Sequence, residues 1–160
     1  MVKKISVYLM VAYILSSLIV QFNCKNHDEG NDDGTVYFLV SETTPNHRDS
    51  FILPLTDPVH IAAAESIING TAPTQIVVAK IDYGSGDGVY KNKDLLSPNK
   101  RVWSWHVKEF LNFADVTIEI YDGWPTYVEN YLDQWMQNTN GTIGFWNYTV
   151  TRKVNLSELK

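Results

Sequence analysis

A single cysteine, Cys24, occurs in the whole chain of 160 residues, and it lies where an N-terminal apolar run ends. Once that run is removed, a disulfide framework, thiolate catalysis and a cysteine zinc site are excluded together. A basic surplus is missing too. Beyond residue 24 the chain holds 11 Lys and Arg against 18 Asp and Glu, a net charge of −7. Nothing there could displace the counterions of a nucleic-acid backbone. The sequence contains no HExxH, no Gly-x-Ser-x-Gly, no phosphate-cradling glycine loop and no paired His-ligand spacing, which removes the common metalloprotease, esterase and nucleotide-binding signatures. After residue 24 no run is long or apolar enough to span a bilayer. What is present is a 44 % hydrophobic, 12 % aromatic and 19 % charged composition, sufficient for one packed domain and unlike a disordered or fibrous chain.

The N-terminus reads as an address. Lys3 and Lys4 form a positive start, Ile5 to Val20 an apolar stretch interrupted only by Ser6, Ser16 and Ser17, and polar residues follow Cys24. Such a run is short for a spanning helix and suits a secretory signal, with an uncleaved signal-anchor as the alternative. No small-residue pair marks the cut, which can fall between residues 17 and 25. Asn23 before Cys24 departs from a bacterial lipoprotein box. Residues 1–24 are therefore read as a signal peptide, 25–34 as a flexible acidic lead-in, and 35–160 as one domain whose expected location is extracellular. In the lead-in, Asp28, Glu29, Asp32 and Asp33 lack the spacing of a calcium loop. Four sequons follow, at Asn69, Asn140, Asn147 and Asn155, more than the single one chance supplies. Each is a candidate N-glycosylation site on a solvent-facing segment. Asn69 and Asn140 precede glycine and suit exposed turns, whereas Asn147 lies inside an expected strand.

From Thr35 the pattern alternates short strands and helices. Val36–Val40 and Phe51–Leu55 read as strands, with Pro54 implying an edge or a bulge. Asp57 caps and Pro58 opens a helix over Val59–Asn69, closed by Gly70 and apolar on two sides, hence largely buried. Gln75–Tyr83 reads as a strand, Gly84–Arg101 as a mobile polar loop, and Val102–His106 as a strand. A short helix follows over Val107–Ala114, then a strand over Val116–Ile120. Val128, Tyr131, Leu132, Trp135 and Met136 trace one amphipathic helix from Pro125 onward, with a Thr126–Glu129 capping box. Ile143–Val154 reads as a last strand. The fold class is α+β, with a mostly antiparallel sheet of five or six strands and two or three helices.

Chemistry-bearing residues are few. His27, His47, His60 and His106 are the histidines. His106 with Glu119 or Asp122 could serve a small hydrolase if folding joined them; the plainer alternative is a strand end and a turn. Asp82, Asp87 and Asp94 could supply oxygen ligands to calcium on the glycine loop, although spacings of five and seven match no calcium loop, and a solvated loop is the alternative. Five tryptophans stand out, and Trp103 and Trp105 share one face of their strand. Exposed, they would form with His106 a platform for a saccharide or an apolar partner; buried, as such pairs more often are, they fill the core.

In chain order, Phe51-Ile52-Leu53-Pro54-Leu55-Thr56-Asp57-Pro58, Ile61, Ala64, Trp103-Ser104-Trp105-His106, Ile118-Glu119-Ile120-Tyr121-Asp122-Gly123 and Val128-Glu129 form a pattern. It resembles the N-terminal domain of a slime-mould calmodulin-binding protein, over about residues 36–154. The resemblance implies a small secreted binding domain with no catalytic residues to carry over. Members of that family carry Cys where this chain has Tyr121, and another in a Trp-Cys-Pro-Trp segment near Phe145–Tyr148, so the disulfide that the resemblance implies is replaced here by aromatics. Calmodulin as partner comes only with the family label, because the strongest amphipathic helix here is acidic and the basic segment Lys100–Lys108 alternates like a strand. The expected function is a secreted binding or interaction module for an extracellular protein or saccharide. The alternatives are the His106 hydrolase and a purely structural secreted protein. No cofactor is expected, calcium excepted.

Expressed with its leader in a eukaryotic secretory host, the chain should reach the medium with a new N-terminus between residues 18 and 26, read by N-terminal sequencing. Enzymatic deglycosylation should lower its mass by whole-glycan steps. Retention in the membrane fraction with Met1 intact would mean a signal-anchor instead.

Overall fold

The computed structural model describes residues 34–44, 47–117 and 123–160. The signal segment, most of the lead-in, and Glu119 and Asp122 lie outside the described residues. Six strands form two three-stranded antiparallel sheets rather than the single sheet expected. The first sheet has the order β2-β1-β6, from Ser50–Leu55, Val36–Glu42 and Tyr148–Val154; the second has the order β4-β3-β5, from Trp105–Ala114, Ile76–Tyr83 and Thr142–Gly144. Three α-helices complete the α+β architecture: α1 (Pro58–Ile68) links β2 to β3, while α2 (Pro125–Asn130) and α3 (Leu132–Thr139) precede β5.

One apolar core is shared by both sheets. Phe38, Val40, Phe51, Leu53, Tyr148 and Val150 contribute from the first, and Val77, Ala79, Ile81, Trp105, Val107 and Ile143 from the second. Helical Ala64, Ile67, Val128, Leu132 and Trp135 close it. The first sheet is buried on its other face as well. There Tyr37, Leu39, Ile52 and Val154 pack against Tyr90 and Leu159, with Leu95 and Leu156 at the margin. Continuous apolar runs in β1 and β2 follow from this two-sided burial.

Several elements differ from the sequence expectation, each for a local reason. Val107–Ala114 is not a helix but the body of β4. Its register against β3 shifts twice, so Val107, Glu109, Phe110 and Asn112 are paired while Lys108 and Leu111 are skipped. Each bulge adds one residue to the inward repeat. Apolar Val107, Phe110 and Phe113 therefore meet the core at a spacing of three that imitates a helix. Val116 and Thr117 are not in a strand, and the remainder of that expected strand lies outside the described residues. The long amphipathic helix is two helices, because Tyr131 leaves helical geometry at φ −128° and ψ 28°. The Ile143–Val154 strand is also two, β5 in the second sheet and β6 in the first. Asn147 adopts φ +59° between them and turns the chain across the core. Helix α1 starts as expected, with Asp57 accepting from the Val59 amide at 2.7 Å. It is half-buried rather than largely buried: Ala64 and Ile67 face the core, and Val59 is 73 % exposed.

Gly84–Arg101 departs furthest from its expected role. This segment is no mobile rim; it is the cover of the first sheet. Strand β2 is an edge strand, and its outward amides belong to alternate residues 50, 52 and 54. The Ser50 amide donates to Asp94 Oδ1 at 3.0 Å and the Ile52 amide to Asn92 Oδ1 at 2.9 Å. Pro54 has no amide hydrogen to offer. The open edge is thereby closed along its length. Within this cover Gly86 sits at φ +153°, and a Cβ there would lie 2.1 Å from the Tyr90 carbonyl oxygen. Gly86→Ala is expected to destabilise the fold by about 2 kcal/mol or more, measured as a lowered urea midpoint at unchanged slope. A neutral result would mean that the cover is not part of the cooperative unit.

Candidate functional site

Trp103 and Trp105 share one face, as strand alternation requires, and that face is the core. They are 1 % and 0 % exposed, and their rings stack at 5.9 Å. Trp103 Nε1 donates to the Ser50 carbonyl at 2.9 Å. The Trp105 indole lies 5.8 Å from Phe145, and Phe145 lies 4.2 Å from Phe51. Neither indole offers a stacking surface to a saccharide, so the platform expected from the pair is absent and the aromatic cluster is structural. Phe145 and Tyr148, the residues near the position of the family's cysteine, are fully buried in it. Tyr121, the other position, is outside the described residues.

Around this cluster lies a buried polar network that no local sequence pattern announces. Asp94 Oδ1 accepts from the Ser50 amide and hydroxyl and from the Leu96 and Ser97 amides. Asn92 holds the Ile52 amide on one side and donates to the Trp105 carbonyl at 2.9 Å on the other. Asp49 takes the Tyr148 hydroxyl on one oxygen, and the amide and hydroxyl of Thr126 on the second at 2.9 and 2.6 Å. The expected capping box at the start of α2 is therefore not made. Thr126 reaches Asp49, and Glu129 takes the Ser104 amide and hydroxyl at 2.9 and 3.0 Å. Arg101 lies 3.9 Å above the Trp103 ring and donates to Thr126 Oγ1 at 2.9 Å. Burial pushes Asp94 above the usual carboxylate range, with nearby Asp49 adding to it, although hydrogen bonds from Ser50, Leu96 and Ser97 pull the other way. Burial and the bond to Asp49 push the Tyr148 phenol up.

The three aspartates considered as a calcium loop are dispersed to other tasks. Asp82 meets Lys108 at 2.7 Å, a pairing that holds its carboxyl below the ordinary value. Asp87 caps the amides of Val89 and Tyr90, and Asp94 is the buried anchor just described. Among the described residues no group of three His, Cys, Asp or Glu is placed to hold a metal ion.

His106 is where the expected site and the structure meet. It follows Trp105 on β4 and points away from the core, half-buried, at one wall of a cleft of about 580 Å³. The start of α1, with Asp57 and His60, forms the opposite wall, and Asp87 and Tyr90 of the loop close one side. His106 Nδ1 lies 2.9 Å from the Gly84 carbonyl oxygen. A carbonyl only accepts, so Nδ1 carries the proton, and in the neutral ring Nε2 is a bare acceptor. Ser104, two residues back, is bonded to Glu129 rather than to this imidazole. Among the described residues no hydroxyl is bonded to His106. His60 packs edge-on against Phe110 at 4.9 Å. Tyr90, 3 % exposed, has a hydroxyl with no partner among the described residues, and desolvation, with Asp87 nearby, pushes its phenol up. His60 and Tyr90 carried no sequence signal as members of one site, because only the crossing of α1 over the β3–β4 loop brings them together. All four sequon asparagines, Asn69, Asn140, Asn147 and Asn155, are exposed.

Residues 34–157 match the family model for the N-terminal domain of the calmodulin-binding protein whose pattern the sequence resembles. No curated protein and no solved structure matches the chain.

The two ways of removing the Asp94 charge should separate anchor from penalty. The folded chain holds this proton more tightly than the unfolded chain, so ionised Asp94 opposes folding above its folded pKa. That penalty shrinks as pH falls toward the unfolded value near 3.8. Asp94→Asn keeps an oxygen for the four donors and is expected to leave stability at pH 7 unchanged or raised by about 1 kcal/mol, the difference vanishing toward pH 4. Asp94→Ala strands those donors and should lose about 3 kcal/mol. Chemical denaturation at both pH values reads each outcome, and equal losses for the two variants would refute the scheme.

Proposed function

Because the chain belongs to this calmodulin-binding-protein N-terminal domain family, we propose that it is a secreted, glycosylated binding module that engages its partner at the His106 cleft. The single observation that carries this reading is the cleft itself. It is a preformed concavity whose walls come from α1, β4 and the β3–β4 loop, with His106 oriented by the Gly84 carbonyl and its second nitrogen uncommitted. Its size suits a small molecule or one side chain of a larger partner. Four exposed sequons and the apolar leader support export, and among the described residues no helix is long and apolar enough to cross a membrane.

Binding is favoured over hydrolysis because His106 has no bonded hydroxyl among the described residues and Ser104 is committed to Glu129. Calmodulin is not favoured as partner. Its usual target is a free basic amphipathic helix, whereas Lys100–Lys108 here runs from the loop into β4 and buries Trp103 and Trp105. The acidic helical segment is broken at Tyr131.

The test is a thermal-shift screen of the secreted chain against saccharides, amines, lipids, calcium and calcium-loaded calmodulin. One ligand class should raise the melting temperature, with about 2.7 kcal/mol available at 100 times its Kd. His106→Ala should abolish the shift while keeping the unliganded melting temperature within a few degrees. A shift insensitive to this substitution would move the site elsewhere, and a shift with calmodulin alone would reinstate the family label.

A further inference from the structure

We infer that the His106 cleft selects an organic cation, an ammonium or guanidinium group, and this rests on the reading of that cleft as the binding site. Much of the polar lining is already engaged, and what remains free is of one kind. Lys108, the one basic side chain on its wall with a permanent charge, is turned onto Asp82 at 2.7 Å. Glu109 pairs with Lys80 at 3.2 Å. Asp57 uses Oδ1 to cap α1, and Asp87 uses Oδ1 to hold the Val89 and Tyr90 amides. Each keeps its other carboxylate oxygen uncommitted among the described residues. His106 Nε2 is a third free acceptor, since Nδ1 is fixed as the donor by the Gly84 carbonyl. The cleft thus offers two carboxylates and an imidazole lone pair, and its own cation is already neutralised.

A ligand complementary to that set brings several N–H donors and a positive charge. A lone anion or a neutral acceptor would face only repulsion or unpaired acceptors. Tyr90 points the same way independently. Its hydroxyl is buried at the cleft wall and has no partner among the described residues, an arrangement that costs free energy in the unliganded chain. A bound ammonium or guanidinium donates to a phenol oxygen and removes that cost. The rings of Phe110 and His60 at the same cleft add faces suited to a cation. The net −7 of the chain beyond residue 24 favours approach of such a ligand. A metal ion fits less well, because among the described residues no three His, Cys, Asp or Glu are grouped to hold one.

The cation could be a free amine or an arginine side chain of a partner, and two probes separate these. Isothermal titration calorimetry of the secreted chain would use agmatine and an acetylated, amidated Gly-Arg-Gly peptide, with sodium chloride at matched ionic strength as control. Binding of at least one probe is expected, and the tighter one names the source. Asp87→Asn, whose amide oxygen preserves the Val89 cap, should weaken it about tenfold. Tyr90→Phe should weaken binding while leaving the melting temperature unchanged or raised, a combination that a merely structural tyrosine would not produce. Absence of binding by both probes, or affinity unaltered in Asp87→Asn and Tyr90→Phe, would overturn the inference. If a saccharide or lipid instead binds in a His106-dependent manner, the cation assignment fails and the cleft stands. If no binding depends on His106, both fail.

Discussion

The closure of the β2 edge is the constraint on which the rest of the molecule depends. A three-stranded sheet with an open outer strand presents unpaired amides to solvent and to other chains. Here the amides of Ser50 and Ile52 are taken by buried Asp94 and Asn92, and Pro54 removes the next. To place those two side chains, the loop after β3 must fold back over the first sheet. In doing so it brings Tyr90 onto Tyr37, at 5.0 Å, and Asp87 to the mouth of the cleft. The same loop therefore seals an edge, roofs a second apolar cluster and builds one wall of the candidate site. A disulfide would be the usual staple for a secreted domain of this size, and its role is met here by side-chain hydrogen bonds inside a dry interface.

The aromatic cluster supports that closure from the other side. Trp103 donates to the Ser50 carbonyl, so the hydroxyl, amide and carbonyl of one residue on β2 are all held by the β3–β4 connection. Trp105, Phe51, Phe145 and Tyr148 then join the two sheets through large rings. With β4 fixed by its tryptophans on the inside, His106 is fixed on the outside, since alternate residues of a strand point to opposite faces. The tryptophans thus act on the site by position: they set where the imidazole stands without touching what it binds.

Much of this is legible in the residues, and the failures have definite causes. Strands β1, β2 and β3 and helix α1 are legible because two-residue alternation, an Asp-Pro start and a Gly stop are local signals. Strand β4 reads as a helix over Val107–Ala114 because two bulges stretch its inward repeat to three residues, the spacing that helices use. The last run conceals a crossing between sheets because Asn147, unlike glycine, does not advertise a positive φ. Residues 84–101 look like a mobile loop since glycines, lysines and a proline dominate them, and the residues that tie them down, Asn92 and Asp94, are types that also occur in solvated loops. His106 is legible as a candidate, being the one histidine beside a distinctive aromatic strand. Its companions His60, Asp87 and Tyr90 are not, because no local pattern encodes proximity across separate elements.

The strand order also dictates a schedule for biosynthesis. Strand β1 is among the first parts of the domain to leave the ribosome, yet it is the central strand of its sheet and one of its partners is β6, near the C-terminus; Ser41 and Thr151 meet across 110 residues. The first sheet can be completed only when almost the whole chain has been made, so closure is late and dominated by long-range pairing. During that interval the apolar faces of β1 and β2 are open, and a nascent chain in this condition depends on folding helpers to stay out of aggregates. Asn69, well ahead of β6 in the order of synthesis, would meet the glycosylation machinery on a chain that is still unfolded. A glycan added there would be a solubilising group carried through the most vulnerable stage of folding.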